Sequence, residues 1–307
     1  MIIAACLFSF LCLLLNCSLF IHLKPPYSFY LVMFQLVAGA LSPFLAVLGL
    51  LGAGLGWLAH APVAVAAGLL GAGISATYIA LVTIPQPRFD LAFGTGWINR
   101  ILPSLEARML KRRWNIGLPR TGEPSWERDV PFWTIPGTDR KLLCDLWQPP
   151  AGVARSGMAV IYFHGSGWWI LDKDYGTRPF FHQLAAQGHV IMDVAYRLCP
   201  EVDIHGMVGD VKRAVAWMKA NADKYQVNPE RIVLAGASAG GHLVLLAAYS
   251  PDHPQLNPPD VQRCDLSVRA VVSYYGPTDL RACYQHTGQS RLTGRPKWRS
   301  DCLAQLP

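Results

Sequence analysis

The chain has 307 residues, a formal net charge of +7, 52% hydrophobic residues and only 15% charged residues. Residues 1–87 contain a single charged side chain, Lys24, so this segment could not cover its own surface as a soluble domain. The composition excludes a disordered or acidic solvating chain. Because the basic residues are concentrated beside the uncharged segment and at the far end, we predict a membrane partner and no nucleic-acid partner.

Three apolar stretches, residues 2–21, 30–51 and 62–84, are each close to the ~20 residues that cross a bilayer as a helix. Glycine-rich runs at 52–56 and 68–73 provide small residues that let membrane helices approach closely. A cleaved signal peptide is the alternative for the first stretch, although it has no basic start and no clear A-x-A site. A buried hairpin of a soluble protein is the alternative for the whole segment. We predict a multi-pass membrane anchor over residues 1–87 with about three transmembrane helices.

A basic juxtamembrane segment follows, because residues 88–120 carry seven basic and two acidic side chains. Apolar and basic positions alternate between residues 93 and 114, which predicts a basic amphipathic helix at the membrane interface or, alternatively, an ordinary surface helix. With three spans, Lys24 and this segment fall on the same side of the membrane, and an excess of Lys and Arg marks the cytoplasmic side. We therefore expect the amino terminus outside and the domain after residue 120 in the cytoplasm.

Short β-rich runs alternate with helical patterns from Arg128 onward, which is typical of a mostly parallel sheet flanked by helices. The predicted strands lie at 130–135, 142–147, 158–163, 190–195, 232–235 and 268–274. The predicted helices lie at 178–187, 207–225 and 239–249. Residues 285–307 show neither pattern, so we predict an α/β domain over 121–284 and an irregular tail over 285–307.

A serine motif of the form G-x-S-x-G lies between a predicted strand and an apolar helix, with Gly236, Ser238 and Gly240 at its defining positions. The turn is too tight for larger side chains beside the serine, which explains the glycines. The start of the helix places free N–H groups and positive dipole near the serine. This context predicts Ser238 as a nucleophile.

A second motif, HGSGW at residues 164–168, follows the predicted strand at 158–163. Such a loop supplies backbone N–H groups to the oxyanion that forms when a serine attacks a carbonyl. The small residues Gly165, Ser166 and Gly167 would let the backbone reach the substrate. We expect His164 to hold the loop in shape rather than to act as the catalytic base.

The stretch from residue 142 to residue 280 resembles the α/β-hydrolase fold, in the hormone-sensitive-lipase-like carboxylesterase and lipase branch. The resemblance is carried by HGSGW (164–168), YRLCPE (196–201), NPER (228–231), GASAGG (236–241) and YGPTDL (275–280). It implies that Ser238 is acylated and that the amides of Ser166, Gly167 and Ala239 bind the oxyanion. Two positions depart from the family pattern: Ser166 replaces a glycine, which would strain the loop if a positive φ is needed there, and Ala237 replaces an aspartate.

The family also places an acid and then a histidine after the nucleophile, each following a further strand. Only 69 residues follow Ser238. None of His242, His253 and His286 lies on a loop expected to reach the serine, and Asp279 is expected to be structural. We therefore expect a chain that is incomplete at its C-terminus, by truncation, mis-splicing or a frameshift, and that has weak or no activity.

No cofactor or metal is predicted. The chain lacks G-x-x-x-x-G-K-[ST], its glycine-rich turn lacks the G-x-G-x-x-G order, and its eight cysteines show neither zinc spacing nor a disulfide framework. The favoured hypothesis is a membrane-anchored serine hydrolase acting on an ester or lipid-like small molecule. The residues do not separate ester from amide or formamide substrates. The alternative is a non-catalytic membrane-bound module that keeps the hydrolase shell for binding.

Overall fold

The computed structural model describes residues 1–21, 27–84, 88–101, 103–106 and 121–280. The chain divides into two compact units, Met1–Leu102 and Pro103–Pro307. The division falls within the basic segment that the sequence predicts over 88–120. The last part of that segment, 107–120, and the predicted tail, 285–307, lie outside the described residues.

The first unit contains three long apolar helices, α1 (Ile2–Ser18), α2 (Tyr27–Leu58) and α3 (Pro62–Thr83). By length and composition, two helical stretches could cross a membrane, Phe34–Leu58 and Pro62–Thr83. Helix α1 has 17 residues and is shorter than a typical span. All three predicted apolar stretches are helical, but three membrane spans are not confirmed.

Small residues bring the backbones of these three helices together. A Cβ atom added to Gly68 of α3 would lie 2.5 Å from the carbonyl oxygen of Gly49 in α2 and 2.8 Å from Ser9 Oγ in α1. Ser75 Oγ of α3 donates a hydrogen bond of 2.8 Å to Asn16 Oδ1 of α1, and both side chains are fully buried. Close backbone packing with a few buried hydrogen bonds is the arrangement that stabilises helices in an apolar environment.

The segment after α3 is broken into short pieces: α4 (Arg88–Phe93), a 3-10 turn at Trp97–Arg100 and α5 (Pro103–Glu106). Gly94 and Gly96 have φ values of +82° and +71°, and Pro103 begins a new helix. The continuous amphipathic helix predicted from residue 93 is therefore wrong over its described part, because left-handed glycines and a proline interrupt helical hydrogen bonding. Residues 107–114 of that helix lie outside the described residues.

The second unit is built on one six-stranded mixed sheet with the order β1-β2-β4-β3-β5-β6. Strands β4, β3, β5 and β6 are parallel, whereas β1 and β2 run antiparallel to their neighbours. The strands are β1 (Ser125–Thr134), β2 (Lys141–Gln148), β3 (Ala159–Phe163), β4 (Val190–Val194), β5 (Ile232–Ala237) and β6 (Ala270–Tyr274). This mixed sheet fits the α/β-hydrolase fold that the sequence predicts.

Helices cover the central strands on both faces. They are α6 (Arg178–Ala186), α7 (Ile204–Ala220), α8 (Ala222–Tyr225) and α9 (Ala239–Ala248), with 3-10 turns at Pro229–Arg231 and Pro259–Val261. In β3, Ile161 and Phe163 belong to the core shared with α7 and α9, whereas Val160 and Tyr162 pack with Phe181 of α6. Because both faces are buried, β3 has an uninterrupted apolar sequence instead of an alternating one.

Three features differ from the sequence-based predictions for this unit. Strand β1 begins at Ser125 instead of residue 130. The single helix predicted over 207–225 is divided at Asn221 into α7 and α8. Cys199 is disulfide-bonded although no disulfide framework was predicted, because pairing depends on proximity in the fold and not on spacing along the chain.

Candidate active site

Ser238 occupies a sharp turn between β5 and α9, where it is the N-cap residue of the helix. Its backbone has φ = +50° and ψ = −116°, a conformation that non-glycine residues rarely adopt, and its amide donates to the Tyr274 carbonyl at 2.9 Å. The side chain is half-buried, and Ser238 Oγ makes no hydrogen bond to another described residue. The turn therefore presents an unengaged hydroxyl at the carboxyl end of the parallel strands.

Two glycines of the serine motif allow backbone contacts that no side chain could permit. A Cβ atom on Gly240 would lie 2.1 Å from the Phe163 carbonyl oxygen, at the end of β3. A Cβ atom on Gly236 would lie 2.5 Å from the carbonyl carbon of Gly240. The start of α9 is thus pressed against the end of β3, which brings the serine turn next to the HGSGW loop.

That loop lies directly against the serine. A Cβ atom on Gly165 would be 3.3 Å from Ser238 Cβ and 3.1 Å from the Ala237 carbonyl oxygen. The left-handed positions of the motif are Gly167 and Trp168, with φ of +55° and +68°, and not Ser166. The serine that replaces the usual glycine therefore does not impose the backbone strain considered above.

The Ser166 side chain is buried and ties the loop to the segment after β4. Ser166 Oγ lies 2.6 Å from Tyr196 Oη and accepts the Trp168 amide at 2.9 Å. Tyr196 Oη also donates to the His164 carbonyl at 3.0 Å. Both ends of the short HGSG turn are thereby held by one tyrosine hydroxyl.

The His164 ring is buried and stacks on the Tyr196 ring, with 4.6 Å between ring centroids. Its Nδ1 lies 3.5 Å from the Gly165 carbonyl oxygen, and its Nε2 has no hydrogen-bond partner among the described residues. Burial lowers the pKa of His164 to about 4. The imidazole is therefore neutral at physiological pH.

Three backbone amides in the HGSGW loop and at the start of α9 are not used as donors within the described fold. The N–H groups of Ser166, Gly167 and Ala239 donate to no acceptor within the described part of the chain. Two of them belong to the HGSGW loop, and the third is at the first position of α9. This is the kind of arrangement that can stabilise a negative oxygen on a group bonded to the serine.

The described residues provide no acid–base partner in contact with Ser238 Oγ. The His242 amide donates to the Ser238 carbonyl at 3.0 Å, but its ring packs edge-to-face on Trp168 at 5.8 Å, and burial lowers its pKa to about 4. The His253 amide bonds to Ser250 in the loop after α9. His286 lies outside the described residues.

No group of three or more potential metal-ligating side chains occurs within the described ranges. The buried atoms His242 Nδ1 and Trp168 Nε1 also have no hydrogen-bond partner there. Their two rings pack edge-to-face against each other.

The family comparison covers about half of the chain and includes all five motifs. The BD-FAE family matches residues 144–301. The chain belongs to the BD-FAE family. This membership agrees with the predicted resemblance to the α/β-hydrolase carboxylesterase branch.

The BD-FAE chain is also similar to curated esterases and lipases. It is 33% identical over 153 residues to Esterase LipQ of Mycobacterium tuberculosis, covering 50% of this chain and 35% of that protein. It is 38% identical over 175 residues to Lipase 2 of a Moraxella species, covering 55% and 38%. The match thus spans little more than a third of the length of these relatives. An inhibited esterase B of Lactobacillus rhamnosis aligns with a TM-score of 0.47 at 22% identity, covering 70% of this chain and 63% of that one.

Sequence reasoning did not assign a role to several residues that shape this BD-FAE site. Tyr196 belongs to the YRLCPE motif, and its hydroxyl binds Ser166 Oγ and the His164 carbonyl, a role that the motif alone does not indicate. Lys173, in the loop that follows β3, forms a buried ion pair with Asp145 of β2. No local pattern signals such a pair, because its two members lie on different elements.

Proposed function

We propose that this BD-FAE chain is a membrane-anchored serine hydrolase of carboxylic esters, with Ser238 as its nucleophile. One observation carries the proposal. The half-buried Ser238 has an unengaged hydroxyl in a strained turn, and it lies against the Gly165 backbone of a loop whose next two amides have no described acceptor. His164, Gly236 and Gly240 support the shape of the turn and loop, and no cofactor is required.

In the proposed reaction, Ser238 Oγ forms a bond to the ester carbonyl carbon while its proton passes to a base. The carbonyl oxygen becomes an oxyanion that accepts hydrogen bonds from the amides of Ser166, Gly167 and Ala239, and one such donor contributes ~10²–10³ in rate. Collapse breaks the bond to the alcohol, which leaves with a proton, and water then releases the carboxylic acid from the acyl-serine. The base and the acid that orients it are not among the described groups in contact with Ser238 Oγ, so we expect low turnover from the 307-residue chain.

The membrane part of the proposal rests on the apolar first unit. Three apolar helices, two of them long enough to span, precede a basic segment, and the nearly uncharged stretch ends before Arg88. We propose three spans with the hydrolase domain, residues 121–284, in the cytoplasm. A hydrolase held at a bilayer would suit a lipid-like ester as substrate.

Labelling with a fluorophosphonate probe tests the nucleophile. Such a probe reacts with a nucleophilic serine beside oxyanion donors, so wild-type protein should be labelled at Ser238, slowly if no base contacts its Oγ, and Ser238→Ala should lose the label. Ser267→Ala is the matched control, because Ser267 is an exposed serine of the same unit before β6, and it should label as wild type does. Equal labelling of wild type and Ser238→Ala would contradict the assignment.

The second candidate, a non-catalytic membrane-bound binding module, is favoured by the missing acid–base contact at Ser238 Oγ among the described residues. The two candidates differ in one outcome. A binding module would retain a lipid-like ester without hydrolysing it, and it would show no Ser238-dependent labelling. Hydrolysis of a short p-nitrophenyl ester by wild type, lost in Ser238→Ala, would exclude the binding module.

A further inference from the structure

The loop between β3 and α6, residues 164–177, has a backbone that its own sequence does not favour. Trp168, Leu171 and Asp174 have φ values of +68°, +73° and +63°. In this left-handed region the Cβ atom of an L-residue crowds the backbone, so each position is sterically disfavoured. A loop with three such residues must be held by contacts with other parts of the fold.

The first of these contacts is at the start of the loop, where Tyr196 binds Ser166 and His164 as described above. The second is further along. Lys173 Nζ lies 2.6 Å from Asp145 Oδ1 and 2.7 Å from Asp129 Oδ1, and the adjacent Asp174 amide donates to Asp193 Oδ2 at 2.7 Å. The lysine and its amide neighbour therefore attach the loop to β2, to β4 and to the bulge in β1.

Asp145, the main acceptor for Lys173, is held in place by burial and by further hydrogen bonds. Asp145 is fully buried in β2, and it also accepts hydrogen bonds from Trp126 Nε1 at 3.1 Å and from the Asp129 amide at 3.0 Å. The Lys173 side chain is only 7% exposed. A buried, charge-assisted contact of this kind is strong and directional, so it restricts the position of the loop backbone on either side of the lysine.

A short hydrogen-bonded turn connects Lys173 to the proposed oxyanion donors. The amides of Trp169 and Ile170 both donate to the Ser166 carbonyl, at 3.2 and 3.1 Å. Residues 166–170 thus form one hydrogen-bonded turn, and the left-handed Leu171 lies between that turn and Lys173. If the far end of the loop is released, Leu171 and Asp174 are free to leave their disfavoured conformations.

We propose that Lys173 is a positioning residue of this site: its ion pair with Asp145 holds the 164–177 loop so that the Ser166 and Gly167 amides stay directed at the developing oxyanion. The catalytic consequence rests on the function proposed above, whereas the effect on the loop does not. Lys173 acts through the loop backbone and is not assigned any contact with substrate.

Hydrogen–deuterium exchange on the full chain in detergent micelles tests this. In Lys173→Met, exchange at the amides of Trp169, Ile170 and Asp174 should be faster by about tenfold or more, while the amides of β3 and β5 stay protected. The matched control is Lys219→Met. It removes a lysine of α7 that forms an ion pair with Asp265, outside the 164–177 loop. It should leave exchange in the 164–177 loop unchanged.

A second variant separates the role of the lysine from the cost of an unpaired buried charge. Lys173→Met leaves Asp145 without its cation, whereas Lys173→Met with Asp145→Asn removes both charges and keeps an acceptor for Trp126. The double variant should keep the sheet protected and still show fast exchange in the loop. Loop exchange at the wild-type rate in the folded double variant would overturn the proposal. Loss of protection throughout the sheet in both variants would also overturn it, because the pair would then serve the whole fold.

Labelling distinguishes this inference from the proposed function. Loop exchange decides the role of Lys173 whether or not Ser238 reacts, and labelling of Ser238 decides the nucleophile. In protein that is labelled, both Lys173 variants should lower the maximal rate constant of labelling and leave the probe concentration at half-maximal rate unchanged. The reason is that the amides act on the transition state more than on the bound probe. An unchanged rate constant in the variants would separate the loop from the reaction and overturn the positioning role.

Discussion

His164 of the HGSGW motif and His242, which directly follows the serine motif, differ from an ordinary catalytic base in their protonation. Burial lowers the pKa of each to about 4. General-base catalysis is most effective when the pKa of the base is near the operating pH, so a histidine that stays neutral down to pH 4 is a weak proton acceptor. The His164 ring stacks on Tyr196 and the His242 ring packs edge-to-face on Trp168, which indicates a packing role for both instead.

Asp193 is the buried carboxyl with the most unusual ionisation in the hydrolase unit. It is 1% exposed, and it lies directly across from Asp145 in the pairing of β2 with β4. Burial, followed by the charge of Asp145, raises the pKa of Asp193 to about 7, although the Asp174 amide and Lys173 act in the opposite direction. Its Oδ1 has no hydrogen-bond partner among the described residues. The carboxyl therefore holds a proton in the folded protein at pH values where an unfolded chain has lost it.

Asp193→Asn should change the pH dependence of stability. The pKa of Asp193 is about 7 in the folded protein and 3.8 in its usual state. The wild type therefore loses stability as the pH rises from the usual pKa to the folded one. Asn cannot ionise, so the free energy of unfolding of the variant relative to wild type should increase with pH. The increase between pH 5 and pH 8 should be on the order of 2 kcal/mol. Urea unfolding in detergent at pH 5 and pH 8 measures this difference.

The control for this measurement is Asp265→Asn. Lys219 lowers the pKa of the exposed Asp265 to about 2. Any stability from that pair is complete above the usual pKa near 4 and is lost only as pH falls through 2. Its effect should therefore be the same at pH 5 and pH 8. An Asp193→Asn effect that is also equal at the two pH values would show that Asp193 is ionised throughout.

In both units, glycines allow the backbones of neighbouring elements to pack in direct contact. In the hydrolase unit, Gly240 allows α9 to contact the end of β3, and this contact places Ser238 beside Gly165. In the first unit, Gly68 allows α3 to contact α2 and α1. A methyl group at either position would meet backbone atoms, which cannot move aside as a flexible side chain can.

Gly68→Ala should destabilise the helical unit by about 1–3 kcal/mol, because the new methyl group would lie 2.5 Å from the Gly49 carbonyl oxygen. Gly73→Ala is the matched control in the same helix, since a Cβ atom there meets nothing within 4 Å. Thermal loss of helical circular dichroism in detergent compares the two. If both variants melt together with wild type, the close packing of α3 on α2 is not what stabilises the unit.

Charge divides the chain into a nearly uncharged part and a highly charged part. Residues 1–87 carry one charged side chain, whereas residues 121–280 carry fourteen basic and seventeen acidic ones, as expected for a domain in water. The basic excess of residues 88–120 lies between these parts along the chain. The positive-inside rule then places the hydrolase domain in the cytoplasm if the first unit crosses three times.

Thiol labelling tests this topology on intact cells. Cys264 is a free and exposed cysteine of the hydrolase unit, so a membrane-impermeant maleimide should modify it only after the membrane is permeabilised. Peptide mass spectrometry identifies the modified residue, and Cys264→Ser removes that signal. Buried Cys144, whose pKa is raised by burial, serves as the unreactive internal control. Modification of Cys264 in intact cells would place the domain outside and contradict the three-span topology.

The elements of the hydrolase unit could be predicted closely from the chain. All six predicted strands are present, and Ser238 lies in a sharp turn between a strand and a helix, as the motif predicts. The interfacial helix from residue 93 could not be predicted correctly, because its alternating apolar and basic pattern persists across Gly94, Gly96 and Pro103, which end helices locally. The roles of the site residues, including Ser238, remain predictions that the labelling experiments test.

The sequence by itself determined the nearly uncharged first segment, the strand and helix pattern after residue 120, and the motifs that identify the family, because each is a property of neighbouring residues. Only the tertiary structure decided which distant groups meet: Ser166 with Tyr196, and Lys173 with Asp145. Those contacts depend on burial and on which strands are adjacent in the sheet. The distance between two residues along the chain does not determine either, so the contacts that hold the 164–177 loop emerge only when the sheet is assembled.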